Sequence, residues 1–444
     1  MSSALLNDAI AAPAVEESPL FYQDRRVLPD VDRAEGIYIW DADGKRYIDG
    51  ASGAMVVNIG HGNPAVIEAM QAQLKRVAFA YRLHFKNQPA EELAHELVGQ
   101  MPDGLNRVFL VSGGSEAVES CLKLARQYVI TQGQATRYKV ISRFPSYHGC
   151  TLGALSLTGY TALTAPFSPM MVTMPKVPAP FWHREEGSPS DAGARYAKAL
   201  EDVILAEGPD SILAFIMEPV GGASTGALVA PDNYYAEVRN ICDRYGVLLI
   251  HDEVLCGAAR TGAYLAGDHW ATRPDLIALS KGLASGYAPL GAMVAPDWMV
   301  EPVLDAGGFE HGFSYAGNPV SAAAGLAALR ESRRLELAAN AGLMGDYLIN
   351  QLVGLKSLFP FIGDVRGKGL LTAIELVVDR THWRPLPAEW ESHERIVDLG
   401  LEHGLILYAR RTYGGLFGDH VLVTPPLVIS KEQIDDLMSR LHDT

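Results

Sequence analysis

The sequence predicts an α/β protein in which a large unit, built on a mainly parallel sheet flanked by helices, is joined to a smaller α+β unit. Three observations carry this expectation. Short apolar runs of strand length alternate with helical patterns from about residue 60 onward, the order that builds strand–helix–strand crossovers. Several of those runs are apolar without a break, ILAFIM at 212–217 among them, as strands covered on both faces must be. A chain of 444 residues also exceeds what one small core accommodates, so two domains of unequal size are expected.

The elements follow in order. IYIWDADGKRYID at 37–49 sets two β-prone runs about an Asp-Gly turn and predicts a hairpin. VFLV at 108–111 predicts a strand, with a helix from Ser115 to about Ile130 behind it, and KVIS at 139–142 predicts the next strand. Between Pro166 and Pro189 several prolines predict a surface excursion. ILAFIM, a helix near 233–244, VLLIH at 247–251, LIALS at 276–280 and LGAMVA at 290–295 continue the alternation. After Pro319 come two helical stretches, LLTAIELV at 370–377, a helix near 391–403, a strand at 421–424 and a last helix from Lys431. The expected division is an N-terminal arm and part of the smaller domain in 1–60, the large domain in 61–320, and the rest of the smaller domain in 321–444.

Composition narrows the function. Hydrophobic residues at 48% and charged residues at 20% predict a folded chain. A net charge of −15 argues against nonspecific binding to nucleic acid or an anionic membrane, since both need a basic surface. The four cysteines, Cys121, Cys150, Cys242 and Cys256, show no CxxC pairing; reduced thiols in a cytoplasmic protein are expected, and no metal. No secretory signal and no membrane span are apparent.

Four positions carry chemistry when taken together. Lys281 follows the apolar run 276–280; there an amine loses hydration, its pKa falls, and it can form a Schiff base. Asp252 closes the run 247–250, at the strand end where α/β sheets place ligands. A carboxylate there needs a cation, and a protonated pyridine nitrogen is one. Gly113, Gly114 and Ser115 lie between a strand and a helix N-terminus, where backbone N–H groups favour a phosphate. Tyr147 follows the KVIS strand and can stack on a ring. Each has an ordinary explanation alone: a surface lysine, a solvated acid, a helix cap made by Ser115 with Glu119, a tyrosine at the core edge.

SGGSEAVESCLKLAR at 112–126, YHG at 147–149, EPV at 218–220, HDEV at 251–254, LSKGL at 279–283 and HGFSYAGNP at 311–319 occur in one order. RGKGL at 366–370 and PPL at 425–427 follow, and Asp252 stands 29 residues before Lys281. In this the chain resembles, over nearly its whole length, the class III aminotransferases of the fold type I pyridoxal-phosphate family. The resemblance implies a seven-stranded sheet, pyridoxal 5′-phosphate held by Lys281, and a homodimer, possible tetramerisation left open, with shared active sites. It implies Asp252 at the pyridine nitrogen, Val254 and Tyr147 on the two ring faces, and Gly114 and Ser115 at the phosphate. Ser314 matches a threonine that reaches the neighbouring subunit's phosphate. Glu218 is typical of the family without an assigned role.

Departures from the family pattern point to a branch. Leu255 stands where many members have glutamine, and Ala223 where ornithine- and γ-aminobutyrate-type enzymes have glutamate. Both resemble the ω-amino acid and amine:pyruvate transaminases, which often carry a tryptophan near Met55; the substrate pocket about Met55 is therefore expected to differ in shape. Arg410 or Arg411 matches a substrate-carboxylate arginine, and the glycine-rich stretch 410–418 is expected to let it move. Transfer from an ω-amine donor to a keto acid such as pyruvate is expected, with a same-fold epimerase or aminomutase as the alternative.

Overall fold

A computed structural model describes residues 19–23 and 25–444; most of the expected N-terminal arm and the region read for a secretory signal lie outside the described residues. Seven strands form the central sheet, in the spatial order Leu105–Val111, Gly291–Pro296, Leu276–Leu279, Leu248–Asp252, Ile212–Met217, Lys139–Phe144, Lys176–Pro178. Gly291–Pro296 is antiparallel to both its neighbours, and the other strands run one way. The uninterrupted apolar runs explain the middle of this sheet, because every residue of Ile212–Met217 and of Leu276–Leu279 is buried. Alternate residues of one run serve opposite cores. Ala214 and Ile216 pack with Ala117, Cys121 and Leu124 of the Gly114–Thr131 helix, while Phe215 packs with Leu200 and Val238 of helices Pro189–Glu207 and Asp232–Tyr245. Burying such a side chain contributes about 1.5–3 kcal/mol, so two-sided burial holds these strands more than strand propensity does.

Two four-stranded sheets make up the smaller part. One joins Val31–Glu35, Tyr38–Asp41 and Arg46–Asp49 to Leu405–Ile406; the other is ordered Ile362–Lys368, Leu371–Leu376, Asp419–Val423, Tyr408–Arg411. The expected hairpin is present as Tyr38–Asp41 against Arg46–Asp49, and Ile48 pairs in parallel with Leu405, so early and late segments share a sheet. Their side chains meet in one core that includes Ile48, Leu348, Val421 and Leu437.

The segment between Pro166 and Pro189 is only partly the expected excursion. Lys176–Pro178 forms the parallel edge strand of the large sheet, and Val177, Ala179 and Phe181 are buried. An edge strand tolerates the prolines that argued against one there. Among the described residues no helix is long and apolar enough to cross a membrane.

Candidate active site

Five strands that run the same way deliver the candidate residues to one edge of the sheet. Leu105–Val111 leads to Gly114 and Ser115, Lys139–Phe144 to Tyr147 and His148, and Ile212–Met217 to Glu218. Leu248–Asp252 ends on Asp252, and Leu276–Leu279 precedes Lys281. This is the carboxyl edge, where crossover connections leave an open crevice.

Lys281 opens a short 3-10 turn with a positive φ of 43°, a strained conformation for a residue with a side chain. Its Nζ makes no hydrogen bond or ion pair with any described residue. Burial pushes its amine down to about 8, against the opposing pull of Asp252 and Glu218. Asp252 is buried, and both its oxygens are engaged: Oδ1 accepts from the Val254 N–H at 3.1 Å, and Oδ2 lies 2.8 Å from Nδ1 of buried His148. An ionised carboxylate only accepts, so Nδ1 of His148 carries the proton. Glu218 is buried too; Oε1 accepts from Gly222 N–H at 3.2 Å, while Oε2 has no hydrogen-bond partner and stands 3.9 Å from Arg143 Nη2. Burial raises its carboxyl above the usual range, opposed by His148 and Arg143.

The helix Gly114–Thr131 begins at Gly113 without a side-chain cap. Ser115 does not cap it; its Oγ accepts from Cys150 N–H at 3.1 Å, and Glu119 instead accepts from Thr151 Oγ1 and Ala154 N–H. The capping explanation for Ser115 is therefore wrong, and the first N–H groups of the helix are left for an anion. Gly114 is required by close packing: a Cβ there would come within 2.7 Å of Val254 Cγ1. An amine without a partner, a buried carboxylate, and an uncapped helix start beside Val254 fit pyridoxal 5′-phosphate.

A second group of residues stands on the smaller sheet. Along Tyr408–Arg411 the side chains alternate, so Tyr408 and Arg410 share one face and Arg411 takes the other. Arg411 is committed to Asp419 Oδ2 at 2.5 Å, Leu386 O at 2.9 Å and Gly414 O at 3.0 Å. Arg410 has no carboxylate partner among the described residues; it donates to the Tyr408 hydroxyl, and its Cζ lies 4.3 Å from that ring's centroid. Its charge reaches the hydroxyls of Tyr147 and Tyr160, both raised by burial and lowered in part by Arg410. Tyr408, Ala223 and Leu255 all pack against one buried cluster that contains Met55, so the positions that depart from the family pattern gather in one region. The stretch 410–418 makes contacts with the large unit. Thr412 Oγ1 donates to Ser224 O at 3.0 Å, and Phe417 stacks on Phe181 at 5.1 Å.

Ser314 is exposed, on a turn whose His311 lies 3.0 Å from Ser120 Oγ of the phosphate-side helix. Sequence reasoning passed over His148 and Tyr408. His148 is the middle residue of the YHG stretch, and Tyr408 stands two before Arg410, which is the spacing of one strand face.

Fold and site together define a pyridoxal 5′-phosphate enzyme of fold type I. Residues 22–444 match the model of the family Aminotransferase class-III. The putrescine–pyruvate aminotransferase of Pseudomonas aeruginosa is 35% identical, the alignment covering 98% of this chain and 94% of that protein. An uncharacterized aminotransferase of Bacillus subtilis is 38% identical, covering 94% of each chain. A thermostable (S)-enantioselective ω-transaminase from Thermomicrobium roseum superposes with a TM-score of 0.89 at 36% identity, covering 93% of this chain and 91% of that one. The ω-transaminase of Pseudomonas jessenii, solved in complex with PMP, gives 0.88 at 32% identity over 93% and 91%. The chain belongs to the class III aminotransferase family, and it moves an amino group from an amine or amino acid to a keto acid. The epimerase or aminomutase alternative is not favoured by this company.

Proposed function

We propose that the donor is a primary amine or ω-amino acid without an α-carboxylate, that the acceptor is pyruvate, and that the enzyme works in the cytoplasm as a homodimer. The observation that carries the donor reading is Arg410, which has no acid partner among the described residues and lies over Tyr408, itself packed against the apolar cluster of Met55 that Ala223 and Leu255 also cover. A keto-acid carboxylate supplies the missing charge, and a charge-assisted contact of about 1.5–3 kcal/mol corresponds to about ten- to a hundredfold in affinity. An uncharged donor substituent lies on the apolar wall instead. Four free thiols favour a reducing compartment.

When bound, pyridoxal 5′-phosphate supplies an electron sink next to the reacting carbon. In this reading Lys281 carries the cofactor covalently and then moves the proton at Nζ, its lowered basicity matching that task. Asp252 keeps the ring nitrogen protonated, and His148 and the Val254 N–H fix the carboxylate in place. Val254 and Tyr147 hold the ring between them. Gly114 and Ser115 bind the phosphate at the helix start, and Ser314 reaches the phosphate of the partner subunit. The large domain, 61–320, holds the cofactor, and 1–60 with 321–444 forms the smaller one.

The test is a panel of amines and amino acids offered with pyruvate, read by the alanine formed. Diamines and ω-amino acids are expected to outperform α-amino acids. A preference for α-amino acid donors would overturn the reading of the pocket, and a monomer in analytical ultracentrifugation would remove the shared site.

A further inference from the structure

Arg410 is held in a way that a substrate-binding cation need not be. Its Nη1 donates back to the Ala409 carbonyl at 3.1 Å, and Nη2 donates to the Tyr408 hydroxyl. The guanidinium lies over the Tyr408 ring, 4.3 Å from its centroid. The side chain is thus folded along its own strand rather than extended. Tyr408 and Arg410 share one face of Tyr408–Arg411, opposite Leu422 and His420 on the neighbouring strand. Directly opposed residues of an antiparallel pair project to the same side. His420 takes no part in charging this face, because its Nε2 donates to Ala223 O at 2.6 Å and burial holds the ring neutral, down to about 4. Among the described residues Arg410 meets the phenol of Tyr408, and its charge also acts on the phenols of Tyr147 and Tyr160.

Resting on the donor and acceptor proposed above, we infer that Tyr408 is the specificity-determining residue that parks Arg410. With an amine donor the site contains no carboxylate, and an extended guanidinium would meet apolar substituents without a counter-charge. Folded onto Tyr408, it keeps a cation–π contact and a hydroxyl acceptor, each modest in strength. When pyruvate enters, its carboxylate outcompetes these two contacts and draws the side chain out. Parking therefore lowers affinity for the keto acid and raises it for the amine, because a ligand shifts this equilibrium only by its preference for one pose. Thr412 and Phe417 tie the loop to Ser224 and Phe181, which favours the side chain over the backbone as the part that moves.

The experiment is a pair of single-turnover measurements on the holoenzyme, n-butylamine as donor and pyruvate as acceptor on the aminated form, for Tyr408→Phe and Tyr408→Leu. Each is repeated on an Arg410→Ala background. Tyr408→Leu is expected to tighten apparent pyruvate affinity about tenfold and weaken that for n-butylamine about tenfold. Tyr408→Phe keeps the ring and its packing, and is expected to give about a third of each effect on a logarithmic scale. On the Arg410→Ala background both shifts should vanish. Equal weakening for both substrates, a pyruvate affinity that falls, or shifts that survive without Arg410 would overturn the parking role. If wild type fails to react with n-butylamine, the donor reading falls, and the pyruvate arm still decides what Tyr408 does. If Tyr408→Leu does not fold, Tyr408→Phe carries the same test.

Discussion

An acid and a base, Asp252 on the large sheet and Arg410 on the smaller one, are secured differently by the molecule. Asp252 ends a buried strand of the large sheet, with one oxygen on a backbone N–H and the other on a buried histidine. Arg410 sits on the smaller sheet, without an acid partner among the described residues, lying on an aromatic ring. Asp252 at the carboxyl edge of the large sheet is held in place in advance, and in the proposed role it needs no reorganisation when chemistry starts. The face of the smaller sheet holds its cation by contacts that a carboxylate can displace. On the proposed reading, reaction type rests on the rigid part and the choice of substrate on the part held weakly.

The comparison can be broken most severely at Lys281. Lys281→Ala removes nucleophile and proton carrier together, and turnover should fall at least about a thousandfold while the cofactor still binds. Borohydride should fix the cofactor to wild type and not to the variant; fixation in both would place the attachment elsewhere. The pH dependence sharpens this. Only the neutral amine attacks, so loading of the cofactor-free protein should slow about tenfold for each pH unit below about 8. A loading rate flat from pH 6 to 8 would contradict the lowered pKa.

Asp252→Asn comes next. The amide keeps the shape and loses the charge, so turnover should drop about a hundredfold with the fold intact by circular dichroism. Wild-type rates would mean that the prewired edge is not what drives the reaction.

The smallest effects separate the two arginines. Arg410→Ala should raise KM for pyruvate about ten- to a hundredfold and leave the amine half-reaction nearly unchanged. Arg411→Ala should act on stability instead, because it leaves the fully buried Asp419 without its cation, a loss of about 3 kcal/mol and a lower Tm. The opposite assignment of the two phenotypes would exchange their roles.

The residues at the carboxyl edge were legible because each follows an apolar run, and a run buried on both faces announces where it stops. The places of Lys281, Asp252 and the glycines before Ser115 at strand ends needed no tertiary information. The strand Lys176–Pro178 was not legible: it is three residues long, proline-flanked, and borrows its strand character from Lys139–Phe144 beside it. The strand Ile362–Lys368 hid for a related reason, since IGDVRGK carries charges and glycines and is only half-buried beyond its first residues. Arg410 and Arg411 could not be told apart, because adjacent residues of a strand face opposite ways and only register says which way is inward. His148 was in plain view beside Tyr147, but its bond to Asp252 joins positions 104 apart in the chain.

The backbone of Lys281 has one more consequence. Its φ of 43° is a conformation that glycine adopts freely and that costs other residues on the order of 1–3 kcal/mol. The position proposed to perform the reaction is therefore one where backbone strain favours a different residue. A library sorted by heat resistance alone should enrich Lys281→Gly ahead of Lys281→Ala, and would hand back robust, inert protein. Stabilising this enzyme for use at high temperature calls for selection that keeps activity in view at every round, or for holding this one codon fixed.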